Sequence, residues 1–259
     1  MKVFEYIKEK RKITPLHFTL IDPDKQSPEQ AGEFAKKAKE SGSDAIMIGG
    51  SQPDLLMYLD ETVKEVKKRV GDIPVILFPF SHSALSKHAD AVFFMSLLNS
   101  RSTQYIIEEQ MRGSVVIAKH AIEPLSMAYL IIESGKPTSA EFGGDAKPIP
   151  RKKPEFAVGY ALAARYFGMK FVYLEGGSGA EKPVTTKMVA MVKKAVGEDV
   201  FVIVGGGIRD SETAKSLASA GADIFVTGTI GEEDPEKFKE IIKSIKEGSI
   251  TNLDDYVTH

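Results

Sequence analysis

Short apolar runs recur along the chain, and most are rich in Val, Ile and Phe and continuous rather than alternating with polar residues. Runs of this kind are typical of strands that are buried on both faces of a parallel sheet. The pattern predicts eight strands, of which the fifth has two candidate positions. They are His17–Asp22, Asp44–Gly50, Val75–Phe80, Ala91–Leu98, Val115–Ala118 or Tyr129–Ile132, Phe171–Glu175, Val200–Val204 and Ala222–Thr227.

Amphipathic stretches with helical spacing lie between most of these strands. They are Pro28–Ser41, Asp54–Val70, Asn99–Arg112, Glu155–Phe167, Val184–Val196, Ser211–Ala220 and Pro235–Glu247. Strands that alternate with helices predict a parallel α/β architecture, for which an open doubly wound sheet is the alternative. Eight strands with glycine-rich turns after the last ones favour a closed, phosphate-binding (β/α)8 barrel, with residues 1–259 as a single domain.

Two segments depart from the regular alternation. Residues 80–89 are too short and too polar for a full barrel helix, so the third unit is weak. Residues 134–153 are rich in Gly, Pro and charge and are long for a connection, which is typical of functional or mobile loops. We interpret both as decorations on one barrel.

Composition and charge exclude several classes of function. The net charge of -2 gives no electrostatic case for binding nucleic acid. The absence of cysteine excludes disulfides, thiolate metal sites and cysteine nucleophiles. The N-terminal segment lacks the apolar core of a signal peptide, and no apolar run approaches the ~20 residues of a membrane span. We therefore expect a cytoplasmic enzyme.

The most specific signal is a pair of glycine turns after the seventh and eighth strands. Gly205, Gly206 and Gly207 follow the seventh strand, and Gly228 and Thr229 follow the eighth. Such turns at helix N-termini present backbone N–H groups to an anion, and barrels place a phosphate site here. The alternative is that these glycines serve only close packing.

Polar residues also follow the first and second strands. Asp22 would face the mouth of the barrel, where its carboxylate could hold Mg²⁺, or Asp22 and Asp24 could satisfy backbone amides of the turn. Ser51 follows Gly49 and Gly50, and it could bind a ligand through its hydroxyl or cap the next helix.

The sixth strand ends in a further candidate site. Alternation places Tyr173 and Glu175 on one face and Leu174 on the other. The turn that follows, Gly176-Gly177-Ser178-Gly179, can offer consecutive N–H groups to an anion. The five histidines show no metal-binding spacing, and no G-x-S-x-G motif is present.

Taken in order, five segments resemble the prenyltransferase barrels that make geranylgeranylglyceryl phosphate. They are His17–Lys25, Ala45–Ser51, Tyr173–Gly179, Val204–Asp210 and Gly228–Thr229. The resemblance covers nearly the whole chain. It implies a modified TIM barrel that joins sn-glycerol 1-phosphate to geranylgeranyl diphosphate with Mg²⁺ as cofactor.

The resemblance also implies roles for individual residues. Asp22 and Ser51 match the magnesium positions. Glu175 matches a carboxylate that contacts the glycerol hydroxyls, and we take it with Tyr173 as catalytic. The glycerol phosphate site corresponds to Tyr173, Leu174, Glu175, Gly176, Gly177, Ser178, Gly179, Gly206, Gly207, Gly228 and Thr229.

The match has two departures. Some members of the family have a basic residue two positions before the first aspartate, whereas this chain has Leu20. The stretch between Asp22 and Ser51 is slightly longer than in bacterial relatives, so Asp24 is a competing metal ligand.

The chemistry that the resemblance implies leads to further expectations. The prenyl chain needs an apolar groove, which we place between the strand ending at Phe80 and the strand Ala91–Leu98, with Ser96 along it. Because an exposed groove is a liability in water, we expect a homo-oligomer, and product release could involve a transient contact with a membrane surface. Two alternative functions are transfer of a longer prenyl chain and a phosphosugar isomerase or synthase that uses Asp22 and Glu175 as an acid–base pair.

Overall fold

The computed structural model describes residues 2–50, 58–249 and 253–256. Eight parallel strands close into a barrel in the order in which they occur along the chain, which confirms the predicted fold. The strands are β1 (Leu16–Ile21), β2 (Ala45–Ile48), β3 (Val75–Leu77), β4 (Ala91–Leu97), β5 (Glu123–Ile131), β6 (Phe171–Glu175), β7 (Phe201–Gly205) and β8 (Ile224–Thr227).

Helices pack around the barrel and at its two ends. They are α1 (Val3–Arg11), α2 (Pro28–Glu40), α3 (Leu59–Val70), α4 (Glu109–His120), α5 (Ser139–Gly143), α6 (Pro154–Tyr166), α7 (Thr186–Val196), α8 (Ser211–Ser219), α9 (Thr229–Glu233) and α10 (Pro235–Lys246). A π-helical turn, Gln104–Glu108, precedes α4, and a 3₁₀ turn spans Leu253–Tyr256. Among the described residues, no helix is both long and apolar enough to cross a bilayer.

Local sequence signals account for several helix starts. Ser27 begins α2 with a capping box, in which its side chain accepts from the Gln30 amide and the Gln30 side chain accepts from the Ser27 amide. Asp234 caps α10, whose first residue is Pro235. Such pairs satisfy N–H groups that have no partner within the helix.

Alternation along the strands divides the core into an inner and an outer layer. Phe18, Phe93 and Phe171 belong to a cluster that fills the barrel, whereas Leu174 and Val202 pack outward against the helices. Because both faces of each strand are buried, the strands read as continuous apolar runs.

The third unit has no helix between β3 and β4, as the sequence indicated. The fifth strand is β5, which contains most of the candidate Tyr129–Ile132. The alternative candidate, Val115–Ala118, was wrong because it lies within α4. Val115 is 71% exposed there, so this β-branched run is not buried on both faces.

Helix α1 was not predicted, and it packs over the N-terminal ends of the strands. The Glu123 carboxylate, at the start of β5, accepts hydrogen bonds from the Val3 and Phe4 amides. Phe4 makes edge-to-face contacts with Phe171 and Phe201, the first residues of β6 and β7. The opposite end of the barrel remains available for a site.

A buried histidine is expected to make the stability of the barrel depend on pH. His17 lies within hydrogen-bond distance of Ser43 and Thr227, and burial, with a smaller effect of Lys246, lowers its pKa to about 3. Because the folded state resists protonation, His17 contributes fully to stability above its unfolded pKa of about 6.5, and the contribution is lost as the pH falls towards 3. The loss is on the order of a few kcal/mol.

Urea unfolding at about pH 7.5 and about pH 4.5 measures this loss. We expect His17→Asn to be less stable than the wild type at neutral pH and to depend less on pH. The surface variant His120→Asn should behave as the wild type. An unchanged pH dependence in His17→Asn would contradict the assignment.

Candidate functional site

A cavity of about 940 Å³ opens at the C-terminal ends of the strands. It brings together residues that are far apart in the sequence, because parallel strands end at the same edge of a barrel. The predicted site residues that line it are Asp22, Tyr173, Glu175, Gly177, Ser178, Gly179, Gly206, Gly207, Gly228 and Thr229. Leu174, which packs in the outer core, and the buried Gly176 do not line it, and Ser51 lies outside the described residues.

Glu175 lies at the floor of this cavity and is 6% exposed. One carboxylate oxygen accepts a hydrogen bond of 2.5 Å from the Gly177 amide, and the other accepts one of 3.2 Å from the Tyr129 hydroxyl. The Tyr173 hydroxyl also donates to this carboxylate. The end of β6 and its turn therefore hold Glu175 in one orientation.

Burial has the largest effect on the pKa values of Glu175, Tyr129 and Tyr173. It raises the pKa of Glu175 above its ordinary value, although hydrogen bonds from Gly177, Tyr173 and Tyr129 act in the opposite direction. Burial next to this carboxylate also raises the pKa of both tyrosines well above their ordinary value. The tyrosines therefore remain donors, and Glu175 holds protons more strongly than an exposed carboxylate.

Tyr129 was missed at the sequence level as a site residue, although its segment was a candidate strand. It precedes the end of β5 by two residues, and register pairs it with Tyr173 on β6. Their rings meet edge to face at 5.3 Å between centroids. No local motif marks Tyr129, and the signal lies only in the pairing of the two strands.

The glycine turn after β7 is shaped by close packing. Gly206 and Gly207 have φ of +82° and +72°, a region that favours glycine. A Cβ on Gly206 would lie 2.5 Å from the Gly177 nitrogen, and one on Gly207 would lie 2.6 Å from the Pro183 nitrogen. A bulky residue at Gly207 would therefore displace the backbone before it could block a ligand.

The turn after β8 approaches the end of β1. Gly228 precedes α9, and a Cβ there would lie 2.6 Å from the Leu20 carbonyl oxygen. Gly228 and Thr229 face the same cavity as Gly206 and Gly207, so the structure brings the two predicted turns together. The short distances to an added Cβ confirm that these glycines serve close packing. Binding of a phosphate by their backbone N–H groups remains a prediction.

At the end of β1, Asp22 takes part in the turn that the sequence allowed. Its Oδ1 accepts a hydrogen bond of 3.2 Å from the Asp24 amide, and the Lys25 ammonium lies 3.7 Å from its Oδ2. Asp22 and Asp24 both line the cavity. Within the described parts of the chain, no three His, Asp or Glu side chains gather closely enough to hold a metal ion by themselves.

These oxygens fit Mg²⁺ as it is ordinarily held. Mg²⁺ binds through one or two carboxylates, with substrate phosphates and water completing its shell, so a larger acidic cluster is unnecessary. Magnesium at Asp22 remains a prediction, and Ser51 as its second ligand cannot be placed among the described residues.

The cavity continues into an apolar groove beside the missing third helix. Val92 and Phe94 on β4, Leu85 in the preceding loop, and Gly113 and Ile117 on α4 line it. The groove lies where the sequence placed it. Ser96 was a poor choice of lining residue, because its hydroxyl donates to the Ile106 carbonyl and does not face the cavity.

The loop that replaces the third helix is attached to α4 by a polar pair. The Glu109 carboxylate accepts from the His82 amide and lies 2.7 Å from His82 Nδ1. Both residues line the groove, and neither was singled out in the sequence. The pair fixes the side of the groove that lacks a helix.

Residues 134–153 cover part of the cavity. Helix α5 contributes Ser139, Ala140 and Gly143 to its lining. Asn99 Nδ2 donates to the Lys147 carbonyl, and the Ser100 hydroxyl donates to the Gly144 carbonyl. The long connection therefore forms a wall of the site.

The chain is similar to known proteins over most of its length. The PcrB family matches residues 5–249. The chain is 54% identical over 234 residues to the geranylgeranylglyceryl phosphate synthase of Methanosarcina barkeri, covering 89% of this chain and 93% of that one. It is 50% identical over 249 residues to the synthase of the same name from Thermococcus kodakarensis, covering 95% and 97%.

A solved structure is similarly close. The crystal structure of (S)-3-O-geranylgeranylglyceryl phosphate synthase from Thermoplasma acidophilum, in complex with its substrate sn-glycerol-1-phosphate, superposes with a TM-score of 0.89 at 42% identity. The alignment covers 95% of this chain and 99% of that one.

Proposed function

The chain belongs to the PcrB family, and from that premise we propose that it transfers a geranylgeranyl group from geranylgeranyl diphosphate to the C3 hydroxyl of sn-glycerol 1-phosphate. One observation carries the proposal. A single cavity combines glycine turns and a buried carboxylate at one end with an apolar groove at the other. A polar phosphate ester and a long hydrocarbon chain each find a matching surface there.

In this proposal, the glycine turns bind the glycerol phosphate. The N–H groups around Gly206, Gly207, Gly228 and Thr229 face the phosphate, and the site fixes the hydroxyl relative to C1 of the prenyl chain. The turn that follows Glu175 forms the remaining side of the glycerol site. Binding both substrates in one cavity makes the bond-forming step effectively intramolecular.

Glu175 accepts the proton of the attacking hydroxyl. The glycerol oxygen forms a bond to C1 of the prenyl group, the bond from C1 to the diphosphate oxygen breaks, and the diphosphate leaves with the electron pair. Tyr129 and Tyr173 hold the carboxylate in position by donating to it. The raised pKa of Glu175 makes it a stronger base than an exposed carboxylate.

Asp22, with Ser51, would hold Mg²⁺ next to the diphosphate. Bound there, Mg²⁺ supplies charge stabilisation to the leaving group. Asp24 is the competing ligand, since it lines the same part of the cavity.

The function is tested by incubating the protein with labelled sn-glycerol 1-phosphate and with farnesyl, geranylgeranyl or heptaprenyl diphosphate. We expect the ether-linked product to form most efficiently from the geranylgeranyl donor. Preference for the heptaprenyl donor would favour the longer-chain alternative. Failure to form an ether with any donor would overturn the proposal.

The apolar groove leads to a prediction about chain length. A Cβ on Gly113 would meet its nearest neighbours, in His82 and Leu85, at 3.6 and 3.8 Å, so α4 tolerates a side chain that fills the groove. We expect Gly113→Trp to lower kcat/KM for geranylgeranyl diphosphate by about tenfold or more, since several buried CH₂ groups lose their contacts at ~0.8 kcal/mol each. Farnesyl diphosphate should become the preferred donor.

Steady-state kinetics with both donors measure this preference. The matched control is Gly159→Trp, a helical glycine on the exposed face of α6 with no atom within 4 Å of its added Cβ. The KM for sn-glycerol 1-phosphate should stay within about twofold in both variants, because the glycine turns lie at the other end of the cavity. An unchanged donor preference in Gly113→Trp would place the prenyl chain elsewhere.

Helix α4 and the turn before it carry exposed apolar side chains. Ile107, in the preceding π-helical turn, and Met111 and Val115 are 58–71% exposed and lie four residues apart. This apolar row supports the proposed homo-oligomer, in which a second copy would cover it. Transient contact with a membrane surface would cover the same side chains, and measurements of assembly and of vesicle binding distinguish the two proposals.

A further inference from the structure

Arg209 lies between two of the glycine turns that form the proposed phosphate site. It follows Gly207 by two residues and lines the same cavity. Its Nη2 approaches the Gly179 carbonyl, in the turn after β6, at 3.5 Å. The guanidinium therefore spans the opening between the β6 and β7 turns.

This side chain has no carboxylate partner among the described residues. The neighbouring Asp210 is engaged elsewhere, because its two oxygens accept from the Thr213 amide at 2.7 Å and from the Thr213 hydroxyl at 3.0 Å. The same contacts occupy the N-terminus of α8 with an internal carboxylate. An external anion near this turn would therefore contact the Arg209 guanidinium rather than the N-terminus of α8.

Leu20 and Lys25 flank Asp22 at the end of β1. The side chain two residues before Asp22 is Leu20, which lines the cavity and offers no charge. Lys25 lies 3.7 Å from the Asp22 carboxylate and thus faces the proposed magnesium side. The glycine turns supply backbone N–H groups but no full positive charge to a dianionic phosphate.

We propose that Arg209 binds the phosphate group of the glycerol substrate through its guanidinium. The inference rests on the proposed function and adds a side-chain ligand to a site otherwise built from backbone. Guanidinium groups bind phosphate with two parallel hydrogen bonds, which fix orientation as well as charge. Arg209 would thus select a phosphate ester over an uncharged glycerol.

Calorimetric titration of the full-length protein with sn-glycerol 1-phosphate, without prenyl donor, tests the proposal. We expect Arg209→Gln to raise Kd by about ten- to hundredfold, the range for hydrogen bonds to a charged group. Arg209→Lys keeps the charge but cannot form the two parallel hydrogen bonds of a guanidinium. Its Kd should therefore lie between those of the wild type and Arg209→Gln. The control is Arg165→Gln, which removes an arginine that pairs with Asp199 outside the cavity and should bind as the wild type.

Steady-state kinetics provide the second measurement. In Arg209→Gln, the KM for sn-glycerol 1-phosphate should rise, while the KM for geranylgeranyl diphosphate stays within about twofold, as expected for sites that do not share a contact. A Kd within twofold of the wild type, or an equal rise in both KM values, would overturn the assignment of Arg209. Failure of the wild type itself to bind sn-glycerol 1-phosphate would instead overturn the proposed function.

Discussion

Glu175→Gln is expected to lower kcat by about a hundred- to ten-thousandfold, the usual range for loss of a general base. Glutamine keeps the shape of the side chain and an oxygen that can accept from Tyr129 or Gly177, but it cannot take the proton of the glycerol hydroxyl. Binding of sn-glycerol 1-phosphate should change far less than kcat. Single-turnover rates with labelled glycerol phosphate separate the chemical step from binding.

The matched control is Glu181→Gln, which changes an exposed glutamate in the same connection after β6. It should retain wild-type kcat. If Glu175→Gln also keeps near-normal turnover, another group accepts the proton and the proposed mechanism is wrong.

The pH profile gives an independent measurement of the same residue. Because the pKa of Glu175 is raised, kcat/KM should fall on the acid side at a higher pH than for an ordinary glutamate. Tyr129 donates to the ionised carboxylate and so lowers its pKa, which means that Tyr129→Phe should move the acid limb to still higher pH. A limb that moves to lower pH would contradict this arrangement.

Asp22→Asn should lower kcat by about two orders of magnitude or more, because metal stabilisation of a leaving group supplies several kcal/mol. The fold should survive, since the asparagine carbonyl can still accept from the Asp24 amide and keep the turn. The matched comparison is Asp24→Asn, two residues away in the same cavity. Magnesium titrations of activity, and of diphosphate binding in the absence of glycerol phosphate, measure the effect.

The two variants are expected to differ in magnesium-dependent diphosphate binding, according to which aspartate holds the metal. If Asp22 holds the metal, Asp22→Asn weakens magnesium-dependent diphosphate binding and Asp24→Asn does so much less. The reverse result would transfer the metal to Asp24. Equal and small effects in both variants would mean that neither carboxylate is a ligand.

The hydrophobic pattern predicted the strands, and their number together with the glycine turns favoured closure into a barrel. Strands buried on both faces leave continuous runs of Val, Ile and Phe, and this signal is local, so seven of the eight strands were placed without ambiguity. The weak third unit and the glycine turns at residues 205–207 and 228–229 could also be found in the sequence. Motif order, rather than any single motif, linked these turns to Asp22 and Glu175.

The tertiary structure decided what depends on contacts between distant segments. The run at Val115 forms part of a helix because α4 packs one side of it and leaves Val115 exposed, and propensity cannot anticipate that choice. Tyr129 became a site residue only when β5 and β6 paired in register. The glycines at 206 and 207 proved to need their backbone freedom for packing against the β6 connection, a constraint that their spacing does not reveal.

The environment of each charged group was likewise decided by folding. The sequence identifies Glu175 and Arg209 as ionisable, but the burial of Glu175 beneath two tyrosines and the position of Arg209 between two turns follow from closure of the barrel. Desolvation and distance fix a pKa and a binding preference, and both depend on residues tens of positions away in the chain. The sequence therefore determined which groups were available, and the packed barrel decided what each of them faces.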